Sequence, residues 1–197
     1  MEPVCPTDRL FVAAIPDADT ASRINRFAWR QRQWHGLKGR PMDAHLLHVT
    51  LWLVGDDVRA PPPRLVEELV RRLASIEMPP FRVSFDRLMS FRNGALVLCG
   101  GDGVAGLEML HEHLKAAMVV DGTRRTPAFT PHMTLLRDRR HVLADEVEPT
   151  VDWTVSELVL VHSLLGRTTQ RHVARLPLAS PPPSGRGSST CRRCARP

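Results

Sequence analysis

Two stretches of the chain, LLHVTLWLVG at 46–55 and PHMTLL at 131–136, set the same pattern inside an apolar run: His, an apolar residue, Thr, then Leu. The two histidines, His48 and His132, lie 84 residues apart. Apolar runs of this length bounded by turn residues read as strands. Strand side chains alternate between faces, so residues i and i+2 point the same way. His48, Thr50 and Trp52 then share one face, and Val49, Leu51 and Leu53 the other. His132 and Thr134 share a face opposite Met133 and Leu135. Each strand buries an apolar set against helices and presents an imidazole beside a hydroxyl on its other surface. One copy falls in each half of the ordered chain, which predicts a duplicated fold whose two lobes meet at a cleft.

The remaining pattern fits that frame. RLFVAAIP (9–16) predicts a strand, and Asp19 and Thr20 cap a helix running to about Trp34. HLLHVTLWLVG (45–55) is the second strand. PPPRLVEELVRRLASIE opens on prolines and continues as a helix, with Leu65, Val66, Leu69, Val70, Leu73 and Ile76 on one stripe. FRVSFDRLMSFR (81–92) and ALVLCGG flank an Asn-Gly turn at 93–94 and read as a hairpin. A third helix aligns Leu107, Leu110, Leu114 and Ala117. FTPHMTLLRD (129–138) is a strand, and VSELVLVHSLLG (155–166) and RHVARLPL (171–178) are a final strand pair. Mixing βα units with hairpins predicts an α+β class with mainly antiparallel sheets. Residues 1–8 read as an extension and 9–178 as the domain. Residues 179–197, rich in Pro, Ser and Arg without periodicity, read as a disordered tail.

Composition narrows the function classes. No apolar run approaches the roughly 20 residues that span a bilayer. The first residues lack the charged start and long apolar stretch of a secretory signal, so a cytoplasmic protein is expected. The net charge is +6, but the stretch 180–197 supplies four arginines and no acid, leaving +2 elsewhere. The domain itself is mildly basic, which favours an anionic partner such as RNA. Of the four cysteines, Cys99 reads as a core residue. Cys191 and Cys194 form a lone C-x-x-C in the tail, short of the four ligands of a structural zinc site. His35, His45, His111, His113 and His141 are expected at the surface, and the imidazoles of His111 and His113 leave the helix on different faces. No metal or cofactor is expected.

Two imidazoles and two hydroxyls around one groove suit phosphodiester chemistry. A base must deprotonate the nucleophile and an acid must protonate the leaving oxygen. Imidazole serves in either role near neutral pH. Hydroxyls can donate to the non-bridging oxygens as charge builds on them. Either copy alone is an ordinary polar residue in a strand; the duplication makes the case.

HVTL at 48–51 and HMTL at 132–135 resemble the paired H-x-T motifs of the 2H phosphoesterase superfamily. Within it the chain is most similar to the RNA 2′,3′-cyclic phosphodiesterases, also termed 2′-5′ RNA ligase-like proteins. RLFVAAIP, HVTLWLVG, PHMTLLR and ELVLVHSLLG all resemble segments of that family, over roughly residues 9–178. The resemblance implies a bilobal α+β fold of two sheets related by a pseudo-twofold, with the site in the central cleft. It implies hydrolysis of a 2′,3′-cyclic phosphate on RNA or a nucleoside to the 2′-phosphate. His48 is then the proton donor and His132 the proton acceptor. Thr50 and Thr134 hold the phosphoryl oxygens, and Arg137 is a candidate phosphate contact. The expected partner is RNA or a nucleotide with a cyclic phosphate end, acted on by a monomer. Loops at 36–44 and 122–130 are expected to set substrate size, and Trp52 is a candidate for base stacking. One departure stands out: the family often has a Tyr in its last strand, whereas this chain has none and carries His172 there. Related activities (2′-5′ cleavage or ligation) and a non-catalytic RNA-binding module remain the alternatives.

Overall fold

The computed structural model describes residues 5–118 and 128–179. The basic stretch 121–127 and the tail from 180, with its Cys191 and Cys194, lie outside the described residues. Among the described residues, eight strands and three α-helices follow one another as β1 (Asp8–Ala14), α1 (Ala18–Trp34), β2 (Val49–Asp57), α2 (Pro63–Ala74), β3 (Phe81–Ser90), β4 (Ala95–Cys99), α3 (Ala105–Met118), β5 (His132–Arg137), β6 (Asp145–Val155), β7 (Glu157–Leu164) and β8 (Thr169–Pro177). The α+β class with antiparallel pairing is as expected. The expected two sheets are joined edge to edge into one, in the order β6-β3-β4-β5-β2-β1-β7-β8.

The join is narrow. β2 and β5 share one pair, Val49 with Met133, and both side chains are fully buried. On either side of it lies a four-stranded half. β1-α1-β2 in one half corresponds to β4-α3-β5 in the other, and β7 and β8 correspond to β3 and β6. The sheet is also strongly curled. Only Ser156 separates β6 from β7, yet six strand spacings lie between them in the sheet order. A flat sheet would set them about 29 Å apart, and two residues span about 7 Å.

Local chemistry explains the element ends. Asp17 rather than Asp19 caps α1: its carboxylate accepts from Thr20 N at 2.8 Å and from the Thr20 hydroxyl at 2.7 Å. Gly94, at φ +78°, makes the hairpin turn between β3 and β4. β6 has no counterpart among the expected strands, and Pro149 within DEVEPTVDWTV is a residue that strand interiors generally exclude. It is tolerated there because β6 is an edge strand, and residues 147–150 bulge out where the register to β3 jumps from Val151 to Glu146.

The main core lies on the helix-covered side of the sheet and includes Val12, Ile24, Val49, Leu51, Phe85, Leu98, Leu110, Met133 and Leu160. A second, smaller cluster of Phe11, Ala13, Val159 and Val161 lies on the opposite face of β1 and β7. Burying a side chain of this size contributes about 1.5–3 kcal/mol.

The loop before β2 is pinned to the end of β5. The Asp138 carboxylate accepts from Lys38 N and Gly39 N, each at 2.6 Å, and from Arg140 N at 2.8 Å. Gly39 comes so close that a Cβ there would lie 2.0 Å from the Arg137 carbonyl oxygen. Gly39→Ala is therefore expected to destabilise the protein by about 1–3 kcal/mol, as overpacking does. The denaturant midpoint measures this, and an unchanged midpoint would mean the loop is not docked.

Candidate active site

The Val49–Met133 pair sits at the centre of the site. Antiparallel register continued by one residue each way brings His48 opposite Thr134 and Thr50 opposite His132. All four side chains are half-buried, while the residues between them are sealed in the core. The structure thus brings together His48, Thr50, His132 and Thr134 on the face that the alternation predicts.

The two imidazoles are held in the same manner. His48 Nδ1 lies 2.7 Å from the Leu46 carbonyl oxygen, and His132 Nδ1 lies 2.7 Å from that of Thr130. A carbonyl only accepts, so Nδ1 carries the hydrogen in both rings and Nε2 is left for the groove. Each ring also packs on a phenylalanine. Phe11 lies 4.9 Å from His48 between ring centroids, and Phe91 lies 4.8 Å from His132. Burial pushes the His48 imidazole below its ordinary value of 6.5; the Leu46 carbonyl opposes this, and positive charge on His132 and His172 adds to it.

Both strands depart from simple alternation at the Leu after Thr. The β1–β2 register shifts between Val12 and Ala13, so Leu51 has no partner of its own on β1. The β4–β5 register shifts between Leu96 and Val97, which leaves Leu135 without a partner on β4. These are β-bulges at equivalent places in the two motifs. Their carbonyls find partners outside the sheet: His111 Nδ1 donates to the Leu51 oxygen at 2.8 Å, and Met42 N to the Leu135 oxygen at 2.7 Å.

The bulges correct three expectations. Trp52 does not share the face of His48. It pairs with the core residue Val12 and packs on His111, with ring centroids 5.7 Å apart, so it is not available to stack on a base in the groove. Leu53 takes the groove side instead and is 51% exposed. His111 is not a surface residue; it is buried, stacked on Phe129 at 4.2 Å, because the unpaired Leu51 carbonyl needs a donor. On β5 the same shift carries the exposed Arg137 to the side of Thr134, where strict alternation would have turned it away.

One groove residue was not singled out as a site residue from the sequence. His172 on β8 pairs with Val161, which pairs with Phe11, so it lies along the row that ends beneath His48. Its Nδ1 accepts from Arg175 Nη2 at 2.8 Å, and Arg175 is in turn paired with Glu157. Burial and the Arg175 charge push the His172 imidazole down, with Glu157 opposing, so the neutral ring carries its hydrogen on Nε2. The signal available in the sequence was the imidazole standing where a last-strand Tyr was expected. Among the described residues, no three His, Cys, Asp or Glu side chains are grouped to hold a metal ion, and no helix is long and apolar enough to cross a membrane.

Comparison with known proteins bears on this arrangement. No curated protein matches the chain. Escherichia coli LigT, in its crystal structure with 3′-AMP, is 26% identical; the match covers 89% of this chain and all of LigT, with a TM-score of 0.71. The Thermus thermophilus protein TT0787, at 21% identity over 87% of this chain and 98% of its own, shares the fold with a TM-score of 0.67. A sequence profile of the 2′-5′ RNA ligase superfamily matches residues 16–167, which include both H-x-T motifs. The chain belongs to the 2′-5′ RNA ligase superfamily, a branch of the 2H phosphoesterases.

Proposed function

We propose that this protein hydrolyses a 2′,3′-cyclic phosphate on RNA or a nucleoside to the 2′-phosphomonoester, without a metal. The observation that carries this reading is the matched fixation of His48 and His132. Each gives Nδ1–H to a carbonyl two residues back and keeps Nε2 for the groove. The crystal structures of LigT with 3′-AMP and with phosphate support a nucleotide ligand for a groove of this kind.

In this reading water attacks phosphorus and gives its proton to the lone pair of His132 Nε2. The P–O3′ bond breaks, and the leaving oxygen takes the proton of His48 Nε2. The Thr50 and Thr134 hydroxyls donate to the non-bridging oxygens, and Arg137 adds positive charge on the side of Thr134. The His172 Nε2–H is placed to contact the sugar or base. His48 must enter the reaction as an imidazolium, which its burial disfavours in the free protein. The negative charge of the bound phosphodiester reverses that preference, so binding is accompanied by proton uptake at His48.

His48→Ala and His132→Ala are each expected to lower turnover of a 2′,3′-cyclic nucleotide by about 10²–10⁴-fold, with EDTA without effect. Thr50→Val and Thr134→Val are each expected to cost up to about 10²–10³-fold, the scale of a lost oxyanion donor. Analysis of the product by chromatography distinguishes the 2′-phosphate from the 3′-phosphate; a 3′-phosphate product would sink the assignment of the leaving oxygen. Unchanged turnover in either histidine variant would sink the mechanism.

The pH dependence follows from the protonation states. For kcat/KM, which reports the free enzyme, the alkaline limb marks loss of the proton from His48 and is expected below pH 6.5. The alkaline limb of kcat, which reports the complex, is expected at higher pH. Nitrogen-15 spectra of the imidazoles at neutral pH are expected to show the Nδ1–H tautomer for His48 and His132 and the Nε2–H tautomer for His172. The same depressed value has a consequence for folding: as pH falls through 6.5 the unfolded chain takes up a proton that folded His48 resists, so stability declines. His48→Asn, measured by thermal melting, is expected to flatten that decline.

A further inference from the structure

A cationic surface lies away from the groove, on α1. Arg23, Arg26, Phe27, Arg30 and Trp34 are spaced i, i+3, i+4, i+7 and i+11, which sets them on one face of the helix. Arg23, Arg26, Arg30 and Gln31 line a hollow of about 380 Å³, closed on its other side by Glu148 and Thr150 of β6. The three guanidiniums are exposed, and among the described residues none is in an ion pair. The other helices behave differently: Glu68 pairs with both Arg71 and Arg72 on α2, and Glu112 pairs with Lys115 on α3. Within α1 the one acid is Asp19. Glu148 is a single carboxylate facing three cations.

Two features of this face need an explanation that ordinary solvation does not supply. Like charges at helical i, i+3 and i+7 spacing repel one another; Arg23 donates to the Thr20 hydroxyl at 3.1 Å and Arg30 lies 6.0 Å over the Phe27 ring, but among the described residues no carboxylate on the helix pairs with any of the three. Trp34, at the end of the same stripe, is 82% exposed, leaving an indole ring in water. A row of phosphates would relieve the first. An unstacked base would cover the second. An acidic polypeptide would answer only the charge.

We propose that this face of α1 is a binding site for single-stranded RNA, with backbone phosphates in the arginine-lined hollow and a base stacked on Trp34. Arg23 to Arg30 spans about 10 Å of helix, long enough to track consecutive phosphates of one strand. Cationic grooves with an aromatic platform are the general device for holding single strands without sequence preference. The proposal rests on the reading of the groove as a site for RNA ends, and it assigns the substrate to the polynucleotide class.

The test uses the full chain and a fluorescent single-stranded RNA of about a dozen nucleotides with a plain 3′-hydroxyl, so that binding is read apart from hydrolysis. Anisotropy gives the affinity across a salt series. Each phosphate contact on a single strand contributes about 0.7 to the slope of log affinity against log salt. The R23A/R26A/R30A variant, checked for folding by its melting temperature, is expected to lower that slope by about 2. Between 50 and 200 mM salt the wild type is then expected to lose about 20-fold more affinity than the variant. Trp34→Ala is expected to weaken binding about tenfold with an unchanged slope, and Trp34→Phe to abolish the quenching of tryptophan fluorescence by RNA. An unchanged slope in the triple variant overturns the proposal. So does equal binding of poly-glutamate, which would make the partner an acidic polypeptide, and so does RNA binding without any effect at Trp34. Turnover of a cyclic mononucleotide by the wild type is measured separately. Its absence, with stripe-dependent RNA binding intact, refutes the proposed hydrolysis in the groove but not the RNA site on α1, whereas turnover without stripe-dependent binding refutes the site on α1 alone.

Discussion

The Val49–Met133 pair is the one backbone register through which the two halves of the sheet meet, and the site depends on it. Neither half holds a complete constellation. Each contributes one imidazole and one hydroxyl, and the antiparallel crossing sets the imidazole of one strand against the hydroxyl of the other. Because side chains alternate, a slip of one residue by either strand would turn its imidazole and its hydroxyl into the core. The buried pair prevents that: Val49 and Met133 are sealed among aliphatic side chains that have no room for an imidazole. Packing on the helix side therefore fixes chemistry on the groove side.

How much of this was legible in the sequence follows from which rules the chain obeys locally. His48, Thr50, His132 and Thr134 could be placed on one surface because their strands alternate up to the Thr. The rule then fails, at the same residue in both copies, because Leu51 and Leu135 are bulged. Period-two reading put Trp52 in the groove, and the extra residue turns it to the core; on β5 the corresponding extra residue sets Arg137, a candidate phosphate contact by family resemblance, on the side of Thr134. The repeated Leu after each Thr was visible as a coincidence of sequence, but its cause is the need to fill the core where a strand shifts register. β6 has no counterpart among the expected strands, and Pro149 is evidence against a strand only where the neighbouring strand requires its N–H; at a bulged edge it does not. His111 was missed because its partner is a carbonyl freed by a bulge sixty residues away.

The bulges also explain the surroundings of the site. An unpaired carbonyl inside a sheet costs free energy unless a donor reaches it. Here the donors come from α3 and from the loop before β2, so the same defect that shapes the groove ties the outer elements to it. That loop is also the segment that Asp138 holds against the end of β5. The groove is thus braced from outside at both motifs.

A duplicated frame poses a problem for the proposed reaction, which has a direction. Two imidazoles fixed alike across a pseudo-twofold are interchangeable in principle, and acid and base can trade places. What breaks the symmetry is the decoration. The register makes Leu53 the counterpart of Arg137, so one flank of the groove is apolar where the other carries a cation. It makes Phe11 the counterpart of Ala95, and Val161 the counterpart of Phe91, so the aromatic support of each imidazole comes from a different strand. The half that holds His48 alone carries the His172–Arg175–Glu157 chain along its edge strand. A nucleotide is itself asymmetric, with charge at the phosphate and a flat, neutral base to one side. The two flanks differ in the same sense, so a nucleotide bound as proposed has one favourable orientation. In the proposed hydrolysis that orientation, and not any difference between the two H-x-T motifs, decides which imidazole faces the leaving oxygen.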